Sequence, residues 1–340
     1  MILNYVPDSL IRYFIRDFCK KRIEECNDGG VESEQNKWQK WVNEIKNSPI
    51  ALNTEEANEQ HYELPPEFFH YCLGRNLKYS SAMWDDKTDN LDEAEDKMLQ
   101  TTMERAELKN GQRVLELGCG WGSLSFAMAK KFPESQFTLV SNSNSQRKDI
   151  YSRAIKENIS NIEVITSDMN EFEAELNCYD RVVSVEMFEH MRNWDALLKK
   201  ISSWLKADGK CFVHIFTHKK YGYAYEVKDK TDWMSKYFFT GGQMPSESQF
   251  SYFQDDLKLQ TQWAVNGKNY ALTSEWWLKN MDHNKDKILP IFKKTYGEDY
   301  KNWFQRWRIF YMSCAELFNF NRGNEWFVSH YLFQNRRIVA

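Results

Sequence analysis

The stretch "RVLELGCGWGSLS", Arg113 to Ser125, reads as a short apolar strand, a turn with glycine at every second position, and the start of a helix. Gly118, Gly120 and Gly122 follow the strand directly. Glycine at such points lets the chain turn sharply and lets a ligand approach the main chain closely. The spacing is G-x-G-x-G, not the G-x-G-x-x-G of dinucleotide binding. Glu116, two positions before the first glycine, would repel a pyrophosphate and suits a ligand with a positive amino group. The plainer alternative is a glycine-rich turn without a ligand, and the surrounding chain has to decide.

Outward from this loop, strands and helices alternate. "WGSLSFAMAKKF" is a helix closed by Pro133, "QFTLVSNS" a strand and "SQRKDIYSRAIKENI" a helix. "IEVITSD", "DRVVSVEMF" and "KCFVHIFTH" continue the strands, with "NWDALLKKISSWLK" as a helix between the last two. This alternation predicts an α/β fold, a parallel sheet with helices on both faces, over about residues 110–218. "LKLQTQWAVNG" and "EWFVSHYLFQNR" bring the strands to seven, with three helical stretches between Tyr270 and Phe320. Upstream, Leu10, Ile11, Phe14, Ile15 and Phe18 fall at helical spacing, "NDGGVESEQ" marks a turn, and Pro65 and Pro66 break the pattern. The expected organisation is an N-terminal helical cap over 1–108 and a ligand-binding domain over 109–340, with an insertion at about 218–256. Cap and insertion should fold over the carboxyl ends of the strands, where open α/β sheets bind ligands.

Composition narrows the classes. Lys plus Arg number 45 against 49 Asp plus Glu, a net charge of -4, which argues against a general nucleic-acid binder. Seven cysteines, an odd count with no CxxC pair, look like reduced thiols of a cytoplasmic protein. The opening segment is interrupted by Pro7, Asp8, Arg12, Arg16 and Asp17, so it reads as neither a signal peptide nor a membrane span, and no stable membrane insertion is expected. Aromatic residues are 15% of the chain, including 13 Trp, many of them after residue 230. They either line a pocket or fill a core. Nothing in the sequence sets the oligomeric state, and a homodimer is left open.

With "KYSSAMW", "LKNGQRVLELGCGWGSLS", "SNSNSQ", "VEMFEHM", "FFTGGQMPS" and "NEWFVSHYLF" assembled, the chain from about residue 60 onward resembles the S-adenosylmethionine-dependent methyltransferases. Within them it is most similar to the branch of cyclopropane-fatty-acid synthases and coclaurine-type N-methyltransferases. The resemblance implies a Rossmann-like class I methyltransferase fold and S-adenosyl-L-methionine as cofactor. It also implies contacts: Tyr79 and Ser80 over the methionine end, Gly118 and Gly120 beneath it, and Asn142 with Gln146 on the ribose. Methyltransferases usually place an acid at that ribose position; amides can accept and donate there too. Asp168 would accept from the adenine amino group, with Met169 packing nearby, although an aspartate there is also a common turn or capping residue.

"SVEMFEHMRNW", Ser184 to Trp194, sets Glu186, Glu189 and His190 among apolar residues at the end of the fourth strand. If the segment is helical, Glu189 and His190 share a face with Glu186. The spacing matches no metal-binding motif, and the lone E-x-x-H, Glu67 to His70, reads as structural, so no metal is expected. An alkylammonium has no lone pair for attack; carboxylates can attract it and a histidine can accept its proton. The resemblance assigns this acid–acid–His set to the acceptor pocket of a small amine, with Glu189 and His190 handling the proton and Glu186 orienting the acceptor. The alternative without chemistry is a structural ion pair closing the sheet's end. Rings of Phe238, Phe318 and Trp326 are candidate substrate contacts, holding a cation by shape and by cation–π attraction.

Three other readings stand beside this one. In the related lipid reaction, a bicarbonate cradle uses a Cys of a "YSC" motif with Glu, His and Tyr. Here Glu189, His214 and Tyr311 are matches, while Ser81 stands at the Cys position. A non-catalytic binder would show a broken glycine loop or a lost acid–His set, and neither is seen. A nucleic-acid methyltransferase would carry an N/D-P-P-Y/F motif where "EMFEHM" stands.

Overall fold

The structure, a computed structural model, describes residues 6–27, 29–52, 64–226 and 233–336; part of the expected insertion, 227–232, lies outside them. Seven strands form one sheet: β1 (Arg113–Leu117), β2 (Gln136–Ser141), β3 (Ile162–Thr166), β4 (Tyr179–Val185), β5 (Leu205–His218), β8 (Leu257–Val265) and β9 (Trp326–Asn335). Their order is β3-β2-β1-β4-β5-β9-β8. The first five strands pair in parallel, and β9 pairs antiparallel with both β5 and β8. The fold is thus the mostly parallel seven-stranded sheet read from the sequence. Beyond β1 the chain builds outward to β3, then returns to place β4 on the other side, so β1 and β4 frame the topological switch point where such sheets take ligands.

Side-chain alternation along the strands divides two cores. Val114, Leu139, Val183 and Phe212 face one side with Leu124 and Phe126 of α5 (Ser123–Lys131) and Ile150 of α6 (Asn144–Lys156). Leu115, Val140, Val182 and Val213 face the other, with Val42 and Ile45 of α2 (Val31–Lys46) and Trp194 and Leu197 of α7 (Trp194–Trp204). Near-continuous apolar strands are what burial on both faces requires. The helix α4 (Leu91–Arg105), counted with the cap in the sequence reading, contributes Leu99 and Met103 to the first of these cores.

A third apolar cluster builds the cap from both ends of the chain. Ile11 and Cys19 of α1 (Asp8–Cys26) and Phe68 and Phe69 of α3 (Pro66–Cys72) join residues of α9 (Lys268–His283), α10 (Lys285–Tyr296) and α11 (Tyr300–Asn319). Arg12 bonds Glu275 and Glu316, and Arg308 bonds Asp8 and Asp282, tying α1 to the late helices. The insertion adds a short β6 (Tyr223–Ala224) and β7 (Gln243–Met244) pair and α8 (Trp233–Tyr237). Among the described residues no helix is long and apolar enough to cross a membrane.

Candidate active site

The glycine loop shapes a cavity at the switch point. Gly118, Gly120 and Gly122 all adopt left-handed φ, at 77°, 52° and 78°. A side chain in that region costs roughly 1–2 kcal/mol per residue. At Gly118 a Cβ would also lie 2.7 Å from the Cβ of Met187, whereas at Gly120 it would meet nothing within 4 Å. The first glycine therefore admits its neighbour, and the second leaves room beside the main chain.

Gly118 and Gly120 line the cavity together with Tyr79, Ser80, Asn142, Gln146, Asp168 and Met169, the eight positions the resemblance assigns to the cofactor. Ser143 caps α6 by accepting from the Gln146 N–H, which sets Gln146 at the helix start. The Gln146 side chain accepts from Ser141 Oγ at 2.6 Å, and its Nε2 is buried with no partner among the described residues. A buried, unanswered donor on a cavity wall fits a ligand hydroxyl. Asp168 Oδ1 accepts from the Asn170 N–H at 2.7 Å, so it shapes its own turn while lining the cavity. Glu116, beneath the loop, accepts from Ser125 Oγ at 2.5 Å, and burial pushes its carboxyl up to about 8. An ammonium group in the cavity would draw it back into its ionised form.

At the wall of this cavity, which Glu186 and His190 help to line, β4 ends and Glu186 takes a left-handed φ of 50°. A bulky residue held there is strained, as functional positions often are. The segment is therefore not one helix presenting Glu186, Glu189 and His190 on a shared face; a 3-10 turn begins only at Phe188. Strain is offset by an unusually complete set of donors to one carboxylate. Glu186 Oε1 accepts from the Ser81 N–H at 2.9 Å and lies 3.2 Å from His214 Nε2, while Oε2 accepts from the Tyr270 hydroxyl at 2.5 Å. Lys78, fully enclosed, donates to Ser80 Oγ and to the Ser81 carbonyl, and so fixes the loop that presents that N–H.

Burial pushes the Glu186 carboxyl above its usual range, and the Lys78 charge with the bonds from Tyr270 and Ser81 only moderates that rise. Glu189 lacks that support. It is fully buried, its Oε1 accepts the Phe216 N–H at 2.8 Å, and its Oε2 has no partner among the described residues. Burial, reinforced by the charge of Glu186, holds it well above the usual carboxylate range. Of the two carboxyls, Glu186, with the Lys78 charge and these bonds, is the more readily ionised, and Glu189 is the more strongly held neutral. Burial lowers His190 to about 4, which leaves its ring neutral with a lone pair near pH 7.

None of the rings of Phe238, Phe318 and Trp326 lines the cavity; each is packed among neighbouring rings. Phe318 stacks on Tyr270, with centroids 4.3 Å apart, and so stands one ring away from Glu186. Phe238 is fully buried and stacks on Phe310 in the cap; the ring on His190 is its neighbour Phe239, at 4.7 Å. Trp326 is buried against His218 and Phe320, and its Nε1–H donates to Tyr223. Tyr311 sits in the cap core beside Trp277 and Trp307, so the tyrosine on the site carboxylate is Tyr270, which sequence reasoning missed. Lys78 was missed as well, though it directly precedes the quoted Tyr79. His70 of the E-x-x-H lies 3.5 Å from Asp149 on α6, a polar contact between cap and core.

The chain matches the family model described as mycolic acid cyclopropane synthetase over residues 51–326. It is 38% identical to (S)-coclaurine N-methyltransferase of Thalictrum flavum subsp. glaucum, across 98% of this chain and 94% of that one. It is 39% identical to (S)-coclaurine N-methyltransferase of Papaver somniferum, across 99% and 97%. Its fold superposes on the crystal structure of coclaurine N-methyltransferase bound to N-methylheliamine and SAH with a TM-score of 0.93, at 36% identity, covering 98% of this chain and 97% of that one. A glycine loop under an acid–acid–His set, matched along nearly its whole length, places the chain in the family of S-adenosylmethionine-dependent methyltransferases that unites coclaurine-type N-methyltransferases with the cyclopropane synthetases.

Proposed function

We propose that the protein methylates the nitrogen of a small aromatic, alkaloid-like amine. The observation that carries this reading is the pattern at the strand end: Glu186, the more readily ionised carboxyl, accepts from Ser81 and Tyr270 and meets His214, beside a more strongly neutral acid and a neutral imidazole. A single buried anion attracts one ammonium group. S-adenosylmethionine supplies the already activated methyl group, and the residues present fit it: the open space at Gly120, the unanswered Gln146 donor and Glu116 for its amino end.

The chain's own residues then do three things. Glu186 binds the acceptor ammonium and fixes its direction. The neutral ring of His190 takes the proton as the amine loses it, with Phe239 holding the ring in place. Glu189, kept protonated, offers a donor from its unanswered carboxyl end and adds no second negative charge. Attack requires the nitrogen free of its proton and aligned at near-attack distance, so positioning is the larger part of the protein's task.

The cyclopropane reading has less support. Ser81, at the position of the Cys of the lipid reaction, turns its hydroxyl to the Ala82 carbonyl at 3.1 Å and gives its N–H to Glu186. Its seven thiols, all unpaired, suit a reducing cytoplasm, where we place the protein. The test is the pair Glu189→Gln with His190→Ala. Turnover of an amine should disappear while SAH binding, measured by calorimetry, stays within about threefold of wild type. Turnover retained in that variant would overturn the assignment.

A further inference from the structure

His214 on β5 and His330 on β9 are cross-strand partners, both fully buried. Their rings stand 4.5 Å apart with planes at 33°. Each uses one nitrogen outward. His214 Nε2 meets Glu186 Oε1 at 3.2 Å, and His330 Nδ1 meets Arg105 Nη1 at 2.8 Å. The two remaining nitrogens, His214 Nδ1 and His330 Nε2, are buried without a partner among the described residues. Arg105 ends α4 and lies 5.0 Å over the ring of Trp263, the partner of His330 on β8. A row of Trp263, His330 and His214 thus crosses three strands. It ends on Glu186, which follows Val185, the partner of His214 on β4.

Chemistry assigns the protons along this row. A guanidinium has only donors, so His330 Nδ1 is a lone pair and the neutral ring carries its hydrogen on Nε2. A carboxylate has only acceptors, so His214 carries its hydrogen on Nε2 and presents a lone pair at Nδ1. Burial, with the cations Lys78 and Arg105 nearby, holds both rings far below the usual histidine range and hence neutral. The two unanswered atoms are therefore one donor and one acceptor on adjacent rings. On rings this close, the His330 Nε2–H favours a lone pair at His214 Nδ1, although the two atoms are not hydrogen-bonded in the structure.

We infer that Arg105 and His330 are positioning residues for the acceptor site: they lock His214 in the tautomer that donates to Glu186, and so keep Glu186 in its ionised, ammonium-binding form. The opposite tautomer would aim a lone pair at Glu186 Oε1, and the carboxyl would have to take up a proton. The charged and titratable groups facing the row are Lys78, Arg105 and Glu186, with Tyr270 on the far side of that carboxylate. The inference rests on the reading of Glu186 as the group that holds the amine.

The first arm of the test is a long-range proton–nitrogen correlation spectrum of the full-length protein with labelled histidine. Both His214 and His330 should appear as neutral Nε2–H rings; an Nδ1–H ring at His330 overturns the inference. In the second arm, His330→Phe and Arg105→Met are compared with Arg105→Lys, which keeps a donor. The first two should move the acid limb of kcat/KM for the amine up by about one pH unit, so that kcat/KM at a given pH on that limb falls by about tenfold. The change in kcat should be smaller, SAH affinity unchanged, and Arg105→Lys should follow wild type. Superimposable pH profiles for the folded His330→Phe and Arg105→Met proteins would refute the lock; if neither folds, the wild-type spectrum decides. Failure of the underlying reading looks different, because Glu186→Gln would then turn over amine at the wild-type rate.

Discussion

Replacing Glu186 by Gln keeps the shape of the side chain and removes its charge. The amide oxygen can still accept from the Ser81 N–H and from His214, but the amide nitrogen would face the Tyr270 hydroxyl, which must then turn to accept. Two unit charges about 4 Å apart at an effective dielectric of about 20 interact by about 4 kcal/mol. Part of the Glu186 charge is already engaged by Lys78, so roughly half of that is available to an ammonium ligand. About 2 kcal/mol corresponds to a fall of about thirtyfold in kcat/KM for the amine. SAH, which carries no sulfonium charge, should bind the variant within about threefold of wild type. The assay is initial-rate kinetics over amine concentration near pH 7, paired with SAH titration calorimetry. A kcat/KM within about threefold of wild type would refute the electrostatic reasoning. So would equal losses in kcat/KM and in SAH affinity, which would indicate a collapsed site.

Further predictions follow from the same geometry. Tyr270→Phe deletes the 2.5 Å donor to Glu186, a charged hydrogen bond worth about 1.5–3 kcal/mol, so kcat/KM for the amine should fall about tenfold or more in steady-state kinetics. Glu116, pushed up to about 8, is protonated at pH 7 and should lose that proton when the amino end of SAH binds. Affinity should therefore rise with pH toward 8, and calorimetry in buffers of different ionisation heat should detect proton release that Glu116→Gln abolishes. Glu189 keeps in the folded state a proton that the unfolded chain loses above about 4.5, so its burial costs stability increasingly as pH rises. Glu189→Gln should accordingly raise the melting temperature at pH 8, with the gain shrinking toward pH 5, as followed by circular dichroism.

Local pattern made the sheet legible. The strand–helix alternation from Arg113 to His218 and the left-handed glycines of "GCGWG" are properties of contiguous residues, and the structure keeps them where the sequence put them. The cap was legible only as separate helices, because its core joins Ile11 and Phe68 to Phe304 and Tyr311 through contacts that span most of the chain. At the site, the residue types of "EMFEHM" could be read, but not their directions: the left-handed turn at Glu186 has no signature in a glutamate codeword. Tyr270 and His214 reach Glu186 from other elements; His214 stands out only as a match to the lipid reaction's cradle, and nothing near Tyr270 in sequence marks it. Phe238 and Phe239 are chemically identical neighbours, and only the path of the chain after α8 decides which one meets His190.

The most direct test of nitrogen methylation is a mass-spectrometric transfer assay with isotopically labelled S-adenosylmethionine. The purified protein receives a panel of aromatic and aliphatic amines and, in a separate reaction, vesicles of unsaturated phospholipid. A labelled methyl group on an amine nitrogen, absent when Glu189 and His190 are replaced together, is the predicted result. A labelled methylene in the lipid, with every amine untouched, would contradict it.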